Sequence, residues 1–209
     1  KDEFDKIDKS AKKYIFIDSY KKDSEYIIKI KDNAGGIKKE IIGKIFEQHF
    51  TTKSDVDGTG IGLFMSKEII EKAGKIIQTH TGKNAAEGSE PYCVLALIDL
   101  EGYPTASAIT PAQAEGIEKI SMCTGLSSNK AERVRKCNRA GICFSNLEYN
   151  ITLTGTIEII TDPKVKKEMW YEGLKHHFSG PEDPEYCVLE FKTEKYNLFV
   201  DWQEITGKL

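Results

Sequence analysis

The sequence predicts an α+β protein in two parts: a small β-barrel with flanking helices over the last two thirds, preceded by a shorter α/β segment. Three observations carry that prediction. After Pro91 the chain is dominated by β-type runs with only two helical stretches among them, a density that suits a small barrel and not a doubly wound sheet. Composition changes between Glu71 and Pro91, where Thr81-Gly82-Lys83-Asn84 and Glu87-Gly88-Ser89-Glu90-Pro91 have linker character. The first third holds two glycine-dense turns, Asp32-Asn33-Ala34-Gly35-Gly36-Ile37 and Gly58-Thr59-Gly60-Ile61-Gly62-Leu63. Domains are therefore expected at residues 1–70 and 71–209.

Taken in order, Lys1 to Ser10 reads as the charged end of a helix. Tyr14 to Ile17 and Glu25 to Ile30 are β-rich runs around the polar turn Lys21-Lys22-Asp23-Ser24, which predicts a hairpin. Lys38 to Gln48 reads as a helix with Ile41, Ile42, Ile45 and Phe46 on one face, and Leu63 to Ala73 as a second, after the polar loop His49 to Asp57. Strands are predicted over Tyr92 to Asp99, Pro104 to Thr110, Ile117 to Cys123, Gly141 to Phe144, Ile151 to Thr161, Tyr186 to Phe191 and Tyr196 to Trp202. A turn falls at Glu101-Gly102. The two late helices are Ser128 to Cys137 and Pro163 to His176, the latter opening on Asp162-Pro163, an N-cap followed by proline at the first helical position.

Composition narrows the function. A formal net charge of −3 gives no electrostatic case for nucleic acid or an anionic membrane surface. No apolar run approaches the ~18 residues of a membrane span, and the charged start Lys1-Asp2-Glu3-Phe4 lacks a signal-peptide apolar core. The five cysteines show no C-x-x-C spacing. Cys93, Cys123, Cys143 and Cys187 lie in β-type runs, where a thiol behaves as a small hydrophobe, so the expected compartment is a reducing cytoplasm. No metal site is predicted.

The glycine turns of the first third suit phosphate. Glycine lets backbone N–H groups approach phosphate oxygens without a Cβ in the way, and the helix that follows adds its positive dipole. Three motifs run in order: Asp32 to Ile37, then Phe46-Glu47-Gln48-His49-Phe50-Thr51-Thr52-Lys53, then Gly58 to Leu63. They resemble the two glycine boxes and the phenylalanine box of the ATP-binding domain of sensor histidine kinases, gyrases, heat-shock chaperones and mismatch-repair proteins. The resemblance implies that Asp32 and Gly36 hold the base end of ATP, and that Gly58, Gly60 and Gly62 form a lid with Lys53 nearby. The asparagine box that would hold Mg²⁺ in that family has no counterpart in the sequence, and neither does a phosphoacceptor-histidine helix. The segment is therefore expected to be an incomplete α/β-sandwich ATPase segment.

The remaining residues point to a second cofactor. Cys93 to Ala96 leads through Gly102-Tyr103-Pro104-Thr105-Ala106-Ser107. Ser121-Met122-Cys123-Thr124-Gly125-Leu126-Ser127-Ser128-Asn129-Lys130 follows, and then Leu153-Thr154-Gly155-Thr156-Ile157-Glu158. At the middle segment a strand ends, a glycine turn follows and a helix opens. Free N–H groups, two hydroxyls and the Lys130 ammonium would converge there on a phosphate; plain capping by Ser127 or Ser128 is the alternative. In order and spacing these segments resemble the split-barrel pyridoxamine 5′-phosphate oxidase-like flavoproteins, whose fold is a six-stranded-type split β-barrel with flanking helices.

That resemblance implies FMN as cofactor, with deazaflavin as an alternative. It assigns the phosphate to Ser128 and Lys130, with Thr124, Ser127 and Asn129 as further cofactor-binding candidates, and the isoalloxazine to the strand Ala106, Ser107, Ala108, Ile109 and Thr110. It also implies a homodimer with the flavin at its interface, and a small-molecule redox partner. Many relatives carry an arginine near the position of Thr105 to Ser107, which this chain lacks. The C-terminal Arg-x-His signature of vitamin B6 oxidation is missing from Tyr196 to Leu209. Trp170 and Trp202 read as core aromatics and His176-His177 as an exposed helix end. The expected function is thus an FMN-binding oxidoreductase or flavin carrier fused to the ATPase-type segment. The alternative is an ATP-binding histidine-kinase fragment in which the barrel is sensory.

Overall fold

The computed structural model describes residues 12, 14–22, 25–33, 35–52, 58–84 and 91–209, and the chain divides into the units Lys1–Phe64 and Met65–Leu209. The helical reading of Lys1 to Ser10, the hairpin residues Asp23 and Ser24, Lys53, and the linker residues Glu87 to Glu90 lie outside the described residues.

In the first unit the predicted hairpin is present. Strands β1 (Ile15–Lys22) and β2 (Glu25–Asp32) pair antiparallel, with Ile15 opposite Asp32 and Lys22 opposite Glu25. The helix expected over Lys38 to Gln48 is shorter: α1 spans Lys39–Ile42 and ends on Gly43 as its C-cap. Glycine is among the poorest helix residues. Beyond it the backbone continues in i→i+3 turns, from Lys44 N–H to Ile41 O, Glu47 N–H to Lys44 O and Phe50 N–H to Glu47 O.

Helix α2 (Gly62–Thr79) runs six residues past the predicted end at Ala73. Its buried positions Ile69, Ala73, Gly74 and Ile77 recur at helical spacing and supply one face to the core. A Cβ on Gly74 would stand 3.0 Å from Gly116 Cα, so the missing side chain lets helix and turn approach.

The second unit is built on one antiparallel eight-stranded sheet. Its strands are β3 (Cys93–Ile98), β4 (Pro104–Ile109), β5 (Pro111–Glu115), β6 (Lys119–Gly125), β7 (Arg139–Ser145), β8 (Tyr149–Ile160), β9 (Tyr186–Val200) and β10 (Gln203–Lys208). The order is β4-β3-β7-β8-β9-β6-β5, with β10 also on β9. Strands β4 and β5 stand at opposite ends of that order, yet one residue, Thr110, separates them in sequence. The sheet must therefore curl until its two ends meet at Thr110. That curl makes the barrel, and its seam lies at the strand predicted to line a cofactor.

Alternation explains the core. Along β8, Ile151, Leu153 and Ile157 point inward with at most 1% exposure, and β3 contributes Cys93, Leu95 and Leu97 from the same phase. Ile77, Ile120, Met122, Ile142, Phe144, Phe191 and Leu198 complete this cluster. A second cluster gathers Ala112, Met169, Leu174, Tyr186 and Val188.

Some predicted elements differ. Strand β5 was not expected, because Pro-Ala-Gln-Ala-Glu has no β-type composition; it forms at the end of the strand order, where proline removes no ladder bond. The strands expected at Tyr186 to Phe191 and Tyr196 to Trp202 are one strand, β9, with Glu194 as an extra residue in its pairing with β8. Lys192 to Lys195 are polar because they flank that bulge, not because the strand stops. The helix expected over Pro163 to His176 is α4 (Pro163–Met169) followed by a 3₁₀ turn, Glu172–His176. Trp170 breaks it in extended conformation, and Tyr171 caps the 3₁₀ turn. Asp162 caps α4 as expected, accepting from the amides of Lys164 at 2.9 Å and Val165 at 3.1 Å. Trp202 is not core: it is 85% exposed, beside Asp201 in the left-handed two-residue turn between β9 and β10.

Candidate functional site

Four parts of the chain converge on a cleft of about 1090 Å³. The barrel seam brings Ala108, Ile109 and Thr110. The end of β6 brings Cys123, Thr124 and Gly125. Helix α3 (Asn129–Lys136) brings Lys130, and the stretch after α4 brings Tyr171, Leu174, His176, His177 and Phe178. Pro91 and Tyr92 complete the lining, which contains no aspartate or glutamate among the described residues. The cleft therefore favours an anionic ligand with apolar or aromatic bulk.

The turn before α3 shows which of its polar groups are already engaged. Ser128 is the N-cap: its Oγ accepts from the Ala131 amide at 3.2 Å and from Thr124 Oγ1 at 3.0 Å. The amides of Asn129 and Lys130, in the first turn, have no partner within the helix. The Ser127 amide donates to Glu185 Oε2 at 3.1 Å, so a carboxylate of this chain already sits on one amide that a phosphate would seek. The Leu126 carbonyl accepts from Arg135 Nη2 at 2.8 Å.

Ala108, Ile109, Thr110, Thr124 and Lys130 thus meet in one cleft, whereas Ala106, Ser107, Ser127, Ser128 and Asn129 do not line it. Ala106 points outward from β4 and Ser107 inward. Asn129 borders a separate hollow with Asp99, Leu100, Glu101, Glu132 and Arg133. There Arg133 Nη1 donates to Thr105 Oγ1 at 2.8 Å. A guanidinium thus reaches the strand that lacks an arginine of its own.

Residues that sequence reasoning passed over shape the far side of the cleft. Burial pushes the Tyr171 phenol above the ordinary range. A Cβ on Gly82 would come within 2.5 Å of Tyr171 Cε2, and one on Gly173 within 2.9 Å, so two glycines close on this ring. The Gly82 amide is fixed by the Pro111 carbonyl at 2.7 Å. His176 and His177 are exposed, as expected, but they also border the cleft. The sequence signal was present in the aromatic run from Trp170 to Phe178, which the helix assignment treated as one amphipathic face.

Behind the cleft Cys123 Sγ lies 3.2 Å from Tyr186 Oη, and that hydroxyl also reaches the Lys166 carbonyl at 3.2 Å. Burial pushes the Cys123 thiol up to about 11, Cys187 to about 11 and Cys93 to about 12. These thiols stay protonated at neutral pH and offer no nucleophile. All five cysteines are free. Among the described residues no cluster of His, Cys, Asp or Glu is arranged to hold a metal ion, and no helix is long and apolar enough to cross a membrane.

The first unit keeps part of its predicted glycine geometry. Gly35, Gly36 and Gly60 have φ of 94°, 65° and 66°, the left-handed region. A Cβ on Gly60 would stand 2.5 Å from the His49 carbonyl carbon. Gly58 lies just before this turn and Gly62 opens α2. Asp32 ends β2, but its side chain lies outside the described residues, as does Lys53.

Comparison with known proteins finds relatives for both parts of the chain. A profile described as histidine kinase-, DNA gyrase B- and HSP90-like ATPase matches residues 4–97. The two-component sensor PprA of Pseudomonas aeruginosa is 38% identical over 60 residues, which is 29% of this chain and 6% of that protein. The chain thus spans only a small part of that curated relative. Among solved structures, a protein related to general stress protein 26 from Clostridium acetobutylicum, of the pyridoxinephosphate oxidase family, aligns with a TM-score of 0.52 and 25% identity. The alignment covers 70% of this chain and 93% of that one. General stress protein 26 from Bacillus anthracis gives 0.55 and 18%, over 69% and 98%. A protein from Mycobacterium smegmatis described as heme binding gives 0.51 and 16%, over 67% and 57%, a likeness of fold alone. A profile described as pyridoxamine 5′-phosphate oxidase matches residues 83–199, more than half of the chain, and this protein therefore belongs to the pyridoxamine 5′-phosphate oxidase family.

Proposed function

We propose that this protein is an FMN-binding flavoprotein that works as an oxidoreductase or flavin carrier, with domains at residues 1–70 and 71–209. The observation that carries the reading is the single cleft in which the barrel seam, the end of β6 and Lys130 meet, with no carboxylate among the described residues of its lining. Lys130 and the first-turn amides of Asn129 and Lys130 suit a phosphate, beside Thr124, Ser127 and Ser128. The seam strand, Ala106 to Thr110, offers backbone groups to a flat ring. When bound, the isoalloxazine supplies reversible electron transfer to a small-molecule partner, and the protein supplies position and electrostatics. A deazaflavin would present the same ring edge and is the alternative cofactor. The free, buried thiols support a reducing cytoplasm.

Homodimerisation belongs to the same reading. On the outward face of β3 and β4, Val94 stands opposite Ala108, Ala96 opposite Ala106 and Ile98 opposite Pro104. This apolar patch adjoins the cleft at Ala108, and a second copy would cover it and bring Ala106 into the site.

The test is optical. Purified full-length protein should be yellow, or turn yellow with FMN, bleach with dithionite, and melt higher with excess FMN. A colourless protein that FMN does not stabilise would overturn the reading. ATP binding is the second reading, favoured by the left-handed Gly35, Gly36 and Gly60 and the ATPase profile. It predicts magnesium-dependent ATP affinity that Asp32→Ala abolishes.

A further inference from the structure

The residue just ahead of β9 is fastened to the turn that opens α3. Tyr186, the first residue of β9, stands opposite Gly125, the last of β6, so Glu185 falls beside Leu126 and Ser127. Its main-chain carbonyl accepts from the Leu126 amide at 2.7 Å, and its Oε2 accepts from the Ser127 amide at 3.1 Å. The Glu185 amide in turn donates to Asp183 Oδ1 at 2.9 Å, and the Asp183 carbonyl accepts from Lys166 Nζ at 2.9 Å. One residue thus engages two consecutive amides of the turn and is itself held in place through Asp183. Its carboxylate forms no ion pair among the described residues. Glu185 lies outside the cleft lining, but Thr124 and Lys130, on either side of the same turn, belong to it.

We propose that Glu185 is a specificity-determining residue that holds a negative charge beside the phosphate position and disfavours a doubly charged phosphate monoester relative to a singly charged diester. The inference rests on the flavin reading and sharpens it. The first-turn amides of Asn129 and Lys130 follow the Ser127 amide within about one helical turn, ~5 Å. An oxyanion seated on them is attracted by the Lys130 ammonium and repelled by the Glu185 carboxylate. Glu185 is exposed, so water screens the repulsion, and each unit of ligand charge loses about threefold in affinity at this range. The penalty scales with the charge of the tail. It is absent for a neutral ribityl hydroxyl, single for a phosphate diester and double for a monoester above its second pKa, near 6.

The experiment measures binding of riboflavin, the methyl ester of FMN and FMN itself at about pH 8, where the tails carry about zero, one and two negative charges. Full-length protein and Glu185→Gln are compared by fluorescence quenching of the flavin, with circular dichroism to confirm folding. Glutamine keeps an oxygen for the Ser127 amide and removes only the charge. Relative to wild type, Glu185→Gln should bind FMN about tenfold tighter, the methyl ester about threefold tighter and riboflavin equally. The gain for FMN should shrink at about 1 M salt. A purely structural role would move all three flavins together. FMN affinity unchanged or weaker in the variant, or a change as large for riboflavin as for FMN, overturns the role of Glu185 and leaves the flavin reading standing. If none of the three flavins binds wild type, the flavin reading itself falls and this inference with it.

Discussion

At the scale of single residues, position near a ligand and position in a cap have to be separated. Ser128 and Lys130 are two residues apart in sequence and were read together as phosphate ligands, yet their structural duties differ. Ser128 caps α3 and accepts from Thr124, so Ser128→Ala should cost about 1 kcal/mol of stability, read as a lower Tm. Lys130 is half-buried in the cleft lining. Lys130→Ala should leave Tm nearly unchanged, within about 0.5 kcal/mol, and weaken FMN about tenfold or more through loss of a charge-assisted contact. Equal effects of the two variants on both readouts would contradict this division. Gly82→Ala makes the complementary case. Its Cβ would collide with Tyr171, so the ring must leave its place. Expected is a loss of about 1–3 kcal/mol, the usual range for overpacking, read as a lower Tm, together with weaker FMN uptake as the cleft wall shifts. The place of Lys130 at the mouth of a helix was legible because a strand–glycine–serine–helix run is a local pattern. The place of Tyr171 in the cleft wall was not, because it depends on Gly82, far away in sequence.

At the scale of elements, local chemistry was legible wherever it stayed local. Asp162-Pro163 announced the start of α4, and the alternation of Ile151, Leu153 and Ile157 announced β8. Reading failed where tertiary context overrides composition. Pro111 looks like a strand breaker until β5 is placed at the end of the strand order, and Trp170 looks helical until it packs edge-to-face on Tyr186 at 5.4 Å. The loop leading into β9 shows how one carboxylate organises an element. Asp183 accepts from the amides of Ser179 and Glu185 and from Ser179 Oγ, each at 2.9 Å. The Ser179 amide, then that of Glu185, holds its carboxyl below the ordinary range. A lowered carboxyl pKa stabilises the fold above the unfolded value near 3.8, and that contribution is lost as pH falls through the lower folded value. Amide exchange at Ser179 and Glu185 should therefore accelerate on acidification below about pH 4, after correction for intrinsic exchange rates. Asp183→Ala should exchange fast at those amides already at neutral pH. Protection that persists unchanged in the variant would show that the loop is held by other contacts, with the Lys166 bond to the Asp183 carbonyl at 2.9 Å as the first to examine.

At the scale of the whole molecule, the sheet order explains why a site exists at all. A sheet whose end strands β4 and β5 are joined through Thr110 has to close on itself, and closure leaves a seam where backbone groups are not fully paired. The cleft opens along that seam, while the stretch from Tyr171 to Phe178 walls it from outside. The α+β class could be read from composition, but the strand order could not, because ladder pairing between strands distant in sequence leaves no short-range signature. The same order sets the assembly prediction. Val94, Ala96, Ile98, Pro104, Ala106 and Ala108 share the outward face of β3 and β4, and Val94 stands near its centre at 38% exposure. Burying that face against a copy of itself gives a twofold interface in which each residue recurs on both sides. A charge introduced there meets its own symmetry mate in a desolvated setting. Val94→Glu should therefore convert a dimer to a monomer in sedimentation at micromolar concentration. The fold itself should persist, because the glutamate of an isolated chain points to water. FMN uptake should fall in parallel if the second copy completes the cleft at Ala106. A Val94→Glu protein that still sediments as a dimer would move the interface elsewhere, and a monomer with undiminished FMN affinity would show that one chain holds the whole site.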